Sequence, residues 1–262
     1  MITWTNHRRQ VKLHAKRSLV GNFLKGVLAA LITFGFSVFA LSFVPLKVPD
    51  TINATNPQDL FMSMIPEGDI KITLQLMVIA FLLYILLTAP LSIGKNRFYL
   101  QAVRGGKKPS FKTFFSAFTS LSEIFSSCVL VVISALWLAI MALVLLLPAA
   151  ALMFLAPNLG PLAQNAGLVL YFAAILALLI LSTPCIMAPF FLADKPELGA
   201  FRSLILAYKQ MSGVKREFLV FDLSFALWRL LFGMSAPGAL FIEPYITASM
   251  AGFYISMDAC KK

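Results

Sequence analysis

Residues 124–193 read IFSSCVLVVISALWLAIMALVLLLPAAALMFLAPNLGPLAQNAGLVLYFAAILALLILSTPCIMAPFFLA, 70 positions without one charged residue. Water does not host that much uninterrupted apolar chain. A bilayer does, because about 20 apolar residues cross its hydrocarbon core. The run therefore holds two spans. Pro148 closes the first at 124–147, and Pro157, Gly160, Pro161, Asn165 and Gly167 mark an uncharged turn before the second at 168–191. Working outward, residues 26–45 carry no charge over 20 positions and residues 72–94 none over 23. The last apolar stretch, 218–257, breaks once at Ser235-Ala236-Pro237-Gly238, which gives short spans at 218–234 and 239–257. The expectation is an all-α polytopic membrane protein, a single integral membrane domain over residues 1–262 with six transmembrane helices. The first apolar run is too long for a cleavable signal peptide and reads as a true span.

Composition agrees: 60% of residues are hydrophobic and 13% charged, against about 25% charged in a soluble domain. The net charge of +11 is distributed unevenly. Nineteen of the 22 basic residues lie before the first run, after the second, after the 70-residue run, or at the end of the chain. Loop 46–71 holds only Lys47 and Lys71 beside Asp50, Asp59, Glu67 and Asp69. This is the positive-inside pattern. It predicts a multi-pass protein of the cell (plasma) membrane with both termini cytoplasmic, facing an anionic inner leaflet. The same charges explain the basic balance without nucleic acid, and no nucleic-acid partner is expected.

Each pair of spans follows an amphipathic segment. Val11, Ala15, Leu19 and Phe23 face away from Arg8, Arg9, Lys12 and Lys16; Ser110 caps a run with Phe111, Phe114, Phe115, Phe118 and Leu121; Leu198, Phe201, Leu204, Ile205, Tyr208 and Met211 form the third. Basic, aromatic helices of this kind lie in the headgroup layer. The order of interfacial helix, span out and span back, three times over, suggests a threefold repeat.

Enzyme signatures are missing, and neither catalysis nor a cofactor is expected. His7 and His14 sit in the basic N-terminal helix. No paired-histidine, Cys-x-x-Cys or phosphate-loop spacing occurs, so no metal site is expected. Cys128 and Cys185 fall inside spans and Cys260 in the tail; Asn53-Ala54-Thr55 is a glycosylation sequon by pattern alone. The sharpest chemical signal is a candidate intramembrane charge cluster, Asp222, Arg229 and Glu243, because an unpaired charge at mid-membrane costs about 2.5–3.5 kcal/mol on insertion scales. Arg229 and Glu243 stand nearly equal distances from the 235–238 turn, which predicts equal depth and an ion pair. Pro244, Ala248 and Gly252 form a small-residue stripe suited to close helix packing.

Several stretches carry a family resemblance. Gly94, Arg97-Phe98-Tyr99-Leu100, Arg104-Gly105 and Pro109-Ser110-Phe111 form one signature. Met187 to Asp194, Pro196-Glu197-Leu198, Met211 to Lys215, Asp222-Leu223-Ser224-Phe225, Trp228, Pro244-Tyr245 and Phe253-Tyr254 form another. Together they resemble an uncharacterised bacterial integral membrane family, domain of unknown function 975. The resemblance implies a polytopic protein of a Gram-positive plasma membrane and no known activity. The chain departs from that pattern at Ser212, Arg229 and Glu243. Two functions compete: a non-enzymatic binding or scaffold protein, acting on membrane-protein partners, lipids or its own copies, and a transporter or channel for a small solute using Asp222, Arg229 and Glu243.

Overall fold

The computed structural model describes residues 4–42, 70–105, 109–233 and 235–259, and within them every regular element is helical. In chain order these are α1 (Trp4–Ser18), α2 (Phe23–Leu41), α3 (Ile70–Arg104), a 3-10 segment (Phe111–Phe118), α4 (Leu121–Leu159), α5 (Pro161–Asp194), a 3-10 turn (Pro196–Leu198), α6 (Gly199–Met211), α7 (Lys215–Leu223), α8 (Ala226–Gly233) and α9 (Ala236–Ala259). The acidic loop with its Asn53 sequon, Lys107, Lys108, Cys260, Lys261 and Lys262 lie outside the described residues.

Among the described residues, three helices are long and apolar enough to cross a membrane: Leu74–Arg104, Leu121–Phe154 and Leu162–Asp194. The α1–α2 pair, bent by 93° at its break, makes a fourth if taken as one span. The bend falls at 19–22, where Gly21 takes a left-handed φ of 81°. Beyond it α1 runs across the bundle, burying Val11, Ala15 and Leu19, with Arg8 and Lys12 half-buried and Arg9 and Lys16 exposed.

Four expected boundaries are corrected. Helix α3 does not stop at Gly94 but continues to Arg104, so Lys95, Asn96 and Arg97 are helical rather than loop residues. Helix α4 runs through Pro148 to Leu159, and α5 begins at Pro161. The broad turn expected over 157–167 is one residue, Gly160, with φ 90°. Apolar surroundings offer the backbone no competing water, so a proline does not end a helix there as it would in solution. Gly167 is inside α5, where a Cβ would come within 2.8 Å of Met153 on α4, so its role is close helix packing. The stretch 218–234 is not one helix but α7 and α8, of nine and eight residues, parted at Ser224-Phe225. Neither alone spans the roughly 30 Å hydrocarbon core at 1.5 Å per residue.

The three amphipathic segments also differ from one another. Ser110 does cap the second, its Oγ accepting the Lys112 N–H at 3.3 Å, but the eight residues that follow are 3-10. Their central Phe114 is buried against protein, beside Leu91 and Ala29, instead of dipping into lipid. In α6 the buried face is the small row Ala200, Ser203, Ala207 and Met211, while Phe201 and Ile205 are each 64% exposed. These differences leave the threefold repeat without structural support beyond the order of elements.

The core gathers at one end of the bundle. Phe98, Tyr99 and Leu100 of α3, Met187, Ala188 and Phe190 to Ala193 of α5, Phe218, Phe221 and Phe225 around α7, and Phe253 of α9 are all buried there. The far ends of α4 and α5 are bare: Leu143, Val144 and Phe172 are each about 60% exposed. Such uncovered apolar surface suits a lipid environment. Gly94 is the tightest joint. A Cβ there would overlap the carbonyl oxygen of Phe114, so only glycine lets the 3-10 backbone lie on α3. At Gly26 a Cβ would meet the Tyr99 hydroxyl at 2.9 Å and Pro244 Cβ at 3.1 Å, which joins α2, α3 and α9. The stripe on α9 acts as its small size predicts: Pro244 meets Gly26, and Gly252 faces Val11 of α1.

Replacing Gly94 by Ala should destabilise the protein by about 3 kcal/mol or more, since the clash is with backbone and cannot be relieved by a side-chain rotation. Gly35→Ala, with nothing within 4 Å of the new methyl, should be neutral or slightly stabilising. Thermal melting of the two variants in detergent tests the contrast; equal melting temperatures would contradict it.

Candidate functional site

The sequence-predicted charges are present in the bundle, but their partners are not those expected. Arg229 on α8 pairs with Asp222 on α7, Nη2 to Oδ1 at 2.8 Å, across the Ser224-Phe225 break. The pair ties α7 to α8 over that break. Glu243 pairs instead with Lys95 of α3, Nζ to Oε1 at 2.8 Å, and its Oε1 also accepts from Thr247 Oγ1 at 3.0 Å. The expected Arg229–Glu243 pair is therefore replaced by two others. Equal distance from the 235–238 turn relates depths only within the last hairpin, while the extension of α3 past Gly94 puts a cation against α9.

Lys95 and Glu243 border a cavity of about 220 Å³, with Thr33 and Ser37 of α2 and Ala239 and Leu240 of α9 as further walls. Thr33 and Ser37 donate their hydroxyls to Ala29 and Thr33 carbonyls of their own helix, at 2.8 and 2.9 Å.

Two more cations of α3 are used the same way. Arg97 donates from Nε to the Ala193 carbonyl at 3.1 Å, from Nη1 to Ser116 Oγ at 2.8 Å, and from Nη2 to Glu123 Oε2 at 3.0 Å. One guanidinium thus ties α3 to α5, the 3-10 segment and α4. Its planar fork of donors makes this possible, where an ammonium could act only as a point charge. Arg104 grips Asp194 with both terminal nitrogens, at 2.6 and 2.8 Å, and Tyr254 Oη donates to the same carboxylate at 3.0 Å. Sequence reasoning counted Lys95, Arg97 and Arg104 only as orienting charges. The available signal was the pair of lone acids, Glu123 and Asp194, flanking the 70-residue uncharged run.

Chemically, these groups close on one another. Each carboxylate meets a cation, and neither a nucleophile–base pair nor an acid dyad forms among them. Cys128 Sγ lies 3.9 Å from the Ile85 carbonyl, and Cys185 borders an apolar pocket beside Trp137 and Tyr208. Among the described residues, no three or more His, Cys, Asp or Glu side chains come together as a metal site would require.

An all-helical bundle with several membrane-length apolar helices, braced at one end by ion pairs, is the class these observations define. The family model described as protein of unknown function DUF975 matches residues 1–261, and the chain belongs to that family. Comparison with curated proteins and with solved structures finds no match.

A double-mutant cycle separates the pairings. Lys95→Met and Glu243→Gln should be strongly non-additive in thermal stability, with a coupling of about 1–3 kcal/mol, because each alone leaves a charge uncompensated. Arg229→Met and Glu243→Gln should be close to additive. The reverse pattern would restore the Arg229–Glu243 pair.

Proposed function

We propose that this chain is a six-pass protein of the plasma membrane, with both termini cytoplasmic, that works as a non-enzymatic binding or scaffold protein. The passes are α2, α3, α4, α5, the broken α7–α8 segment and α9, preceded in turn by α1, the 3-10 segment and α6. The charge distribution supports this orientation: the basic residues concentrate before α2, at the end of α3 and after α5. The observation that carries the scaffold reading is the mutual pairing of these half-buried charges. Asp222–Arg229 and Lys95–Glu243 are ion pairs at 2.8 Å that hold helices together, and a residue spent on bracing is not poised to carry a solute. The uncovered apolar faces of α4 and α5 suit lipid, other membrane proteins or further copies of the chain.

A transport reading has one specific observation in its favour, the cavity at Lys95 and Glu243. Under the scaffold reading, Glu243→Gln lowers the melting temperature and leaves proton and solute flux in proteoliposomes at the empty-vesicle level. A flux abolished by Glu243→Gln at unchanged melting temperature would favour transport instead.

Topology has its own test. An impermeant thiol reagent applied to intact cells should label a cysteine introduced at Asn56 and should not label Cys260. Labelling of Cys260 would overturn the six-pass arrangement.

A further inference from the structure

A further cavity lies where α1 crosses α7 and α9. It measures about 390 Å³, within the roughly 300–1,000 Å³ of small-molecule sites. Arg8, Arg9, Lys12 and Lys16 overlook it, and Leu13, Val220 and Tyr245 supply apolar wall. Among the described residues, none of those lining it is acidic.

Orientation alone does not call for this arrangement. The positive-inside effect depends on how many cations a loop holds, not on where they point. Here residues 8, 12 and 16 stand at successive i, i+4 positions, so they form one column along α1. The opposite face of α1 is fixed by burial of Val11, Ala15 and Leu19, with Val11 packed against Gly252. The column is therefore held over the groove by packing. Lys12 is held further: its Nζ donates to Ser224 Oγ and lies 4.2 Å from the Phe225 ring centroid and 5.6 Å from that of Phe221. Ser224 is free to accept because its own hydroxyl donates to the Phe221 carbonyl. In these partly dry surroundings the attraction of a cation for an anion is screened less than in water. The nearby carboxylate of Asp222 is engaged with Arg229.

We propose that this groove binds the phosphate headgroup of an anionic phospholipid, the cations of α1 taking the phosphate and Leu13, Val220 and Tyr245 taking the glycerol end of the tails. Two features favour a lipid over a soluble phosphate: the apolar wall, and the opening of the groove at the α7–α8 break, where Leu223 and Leu227 present exposed apolar side chains. The inference rests on the membrane reading above and on α1 lying along the cytoplasmic leaflet, whose anionic lipids attract basic segments.

The experiment uses the full chain in nonionic detergent, exposed to phosphatidylglycerol or phosphatidylcholine, with retained lipid read by native mass spectrometry. One phosphatidylglycerol should be retained per chain in preference to phosphatidylcholine. Arg9→Gln with Lys16→Gln, two exposed positions, should weaken retention by about thirtyfold, the effect of roughly 1 kcal/mol per basic side chain at an anionic surface. Their melting temperature should be unchanged. Arg202→Gln with Lys209→Gln removes equal charge from α6 and should leave retention unaltered. Equal loss in both double variants would reduce the effect to diffuse charge and overturn the site. So would equal retention of the two lipids, or displacement of phosphatidylglycerol by soluble glycerol phosphate at the same concentration. Retention in micelles is indifferent to which leaflet α1 faces, so failure here is distinguishable from failure of the topology, which thiol labelling reads.

Discussion

The last third of α3, from Gly94 to Arg104, is the constraint on which the bundle depends. Gly94 admits the backbone of the 3-10 segment to a distance no other residue permits. Immediately after it, Lys95, Arg97 and Arg104 reach three different helices, α9, α4 and α5. Tyr99, fully buried between them, touches the first turn of α2 through its hydroxyl. Helices α2, α4, α5 and α9 and the 3-10 segment each meet this segment, through a carbonyl, a lone acid or a close backbone approach.

The pairs do not stabilise the protein merely by being ionic. Taking two charges out of water costs free energy that their attraction only partly offsets. What they supply is register. Lys95 has one acid at its level on α9, and Arg97 requires Ser116, Glu123 and the Ala193 carbonyl at once. A slip of one residue between α3 and either neighbour would leave a cation unmatched in apolar surroundings, and this disfavours alternative packings that a uniformly apolar interface would tolerate. Family membership covers almost the whole chain, and the largely buried Met187 to Ala193 stretch with Asp194 and Arg104 belongs to this same brace.

The helical class and the long apolar runs were legible because hydropathy depends on composition over about 20 residues and needs no partner. The buried face of α1 was legible for a similar reason, since its 3.6-residue period is local. The boundaries were less so. Pro148 and Gly160 read as ordinary breakers, but whether proline ends a helix depends on the solvent around it. The charge pairing was illegible in principle from one hairpin. Equal spacing from a turn fixes depth but not azimuth, and it took α3 to supply Glu243 with Lys95. The outer row of α6 misled for another reason: large residues marked an apolar face, while the face against protein was chosen by small size at Ala200, Ser203 and Ala207.

The Lys95–Glu243 bond joins residues 148 positions apart, and this has a consequence for how the protein is made. At synthesis rates of about 5–20 residues per second, Lys95 emerges roughly 7–30 s before its partner. Throughout that interval α3 is complete while its mid-helix cation has no acid to meet. Its four-carbon stem lets the ammonium reach toward the nearer interface while it waits. Arrival of α9 then withdraws it into the bundle. Closure of the last hairpin is thus a latch, and the helices before α9 remain a provisional assembly, open to quality-control proteases, until the final 20 or so residues of a helix-length segment have entered.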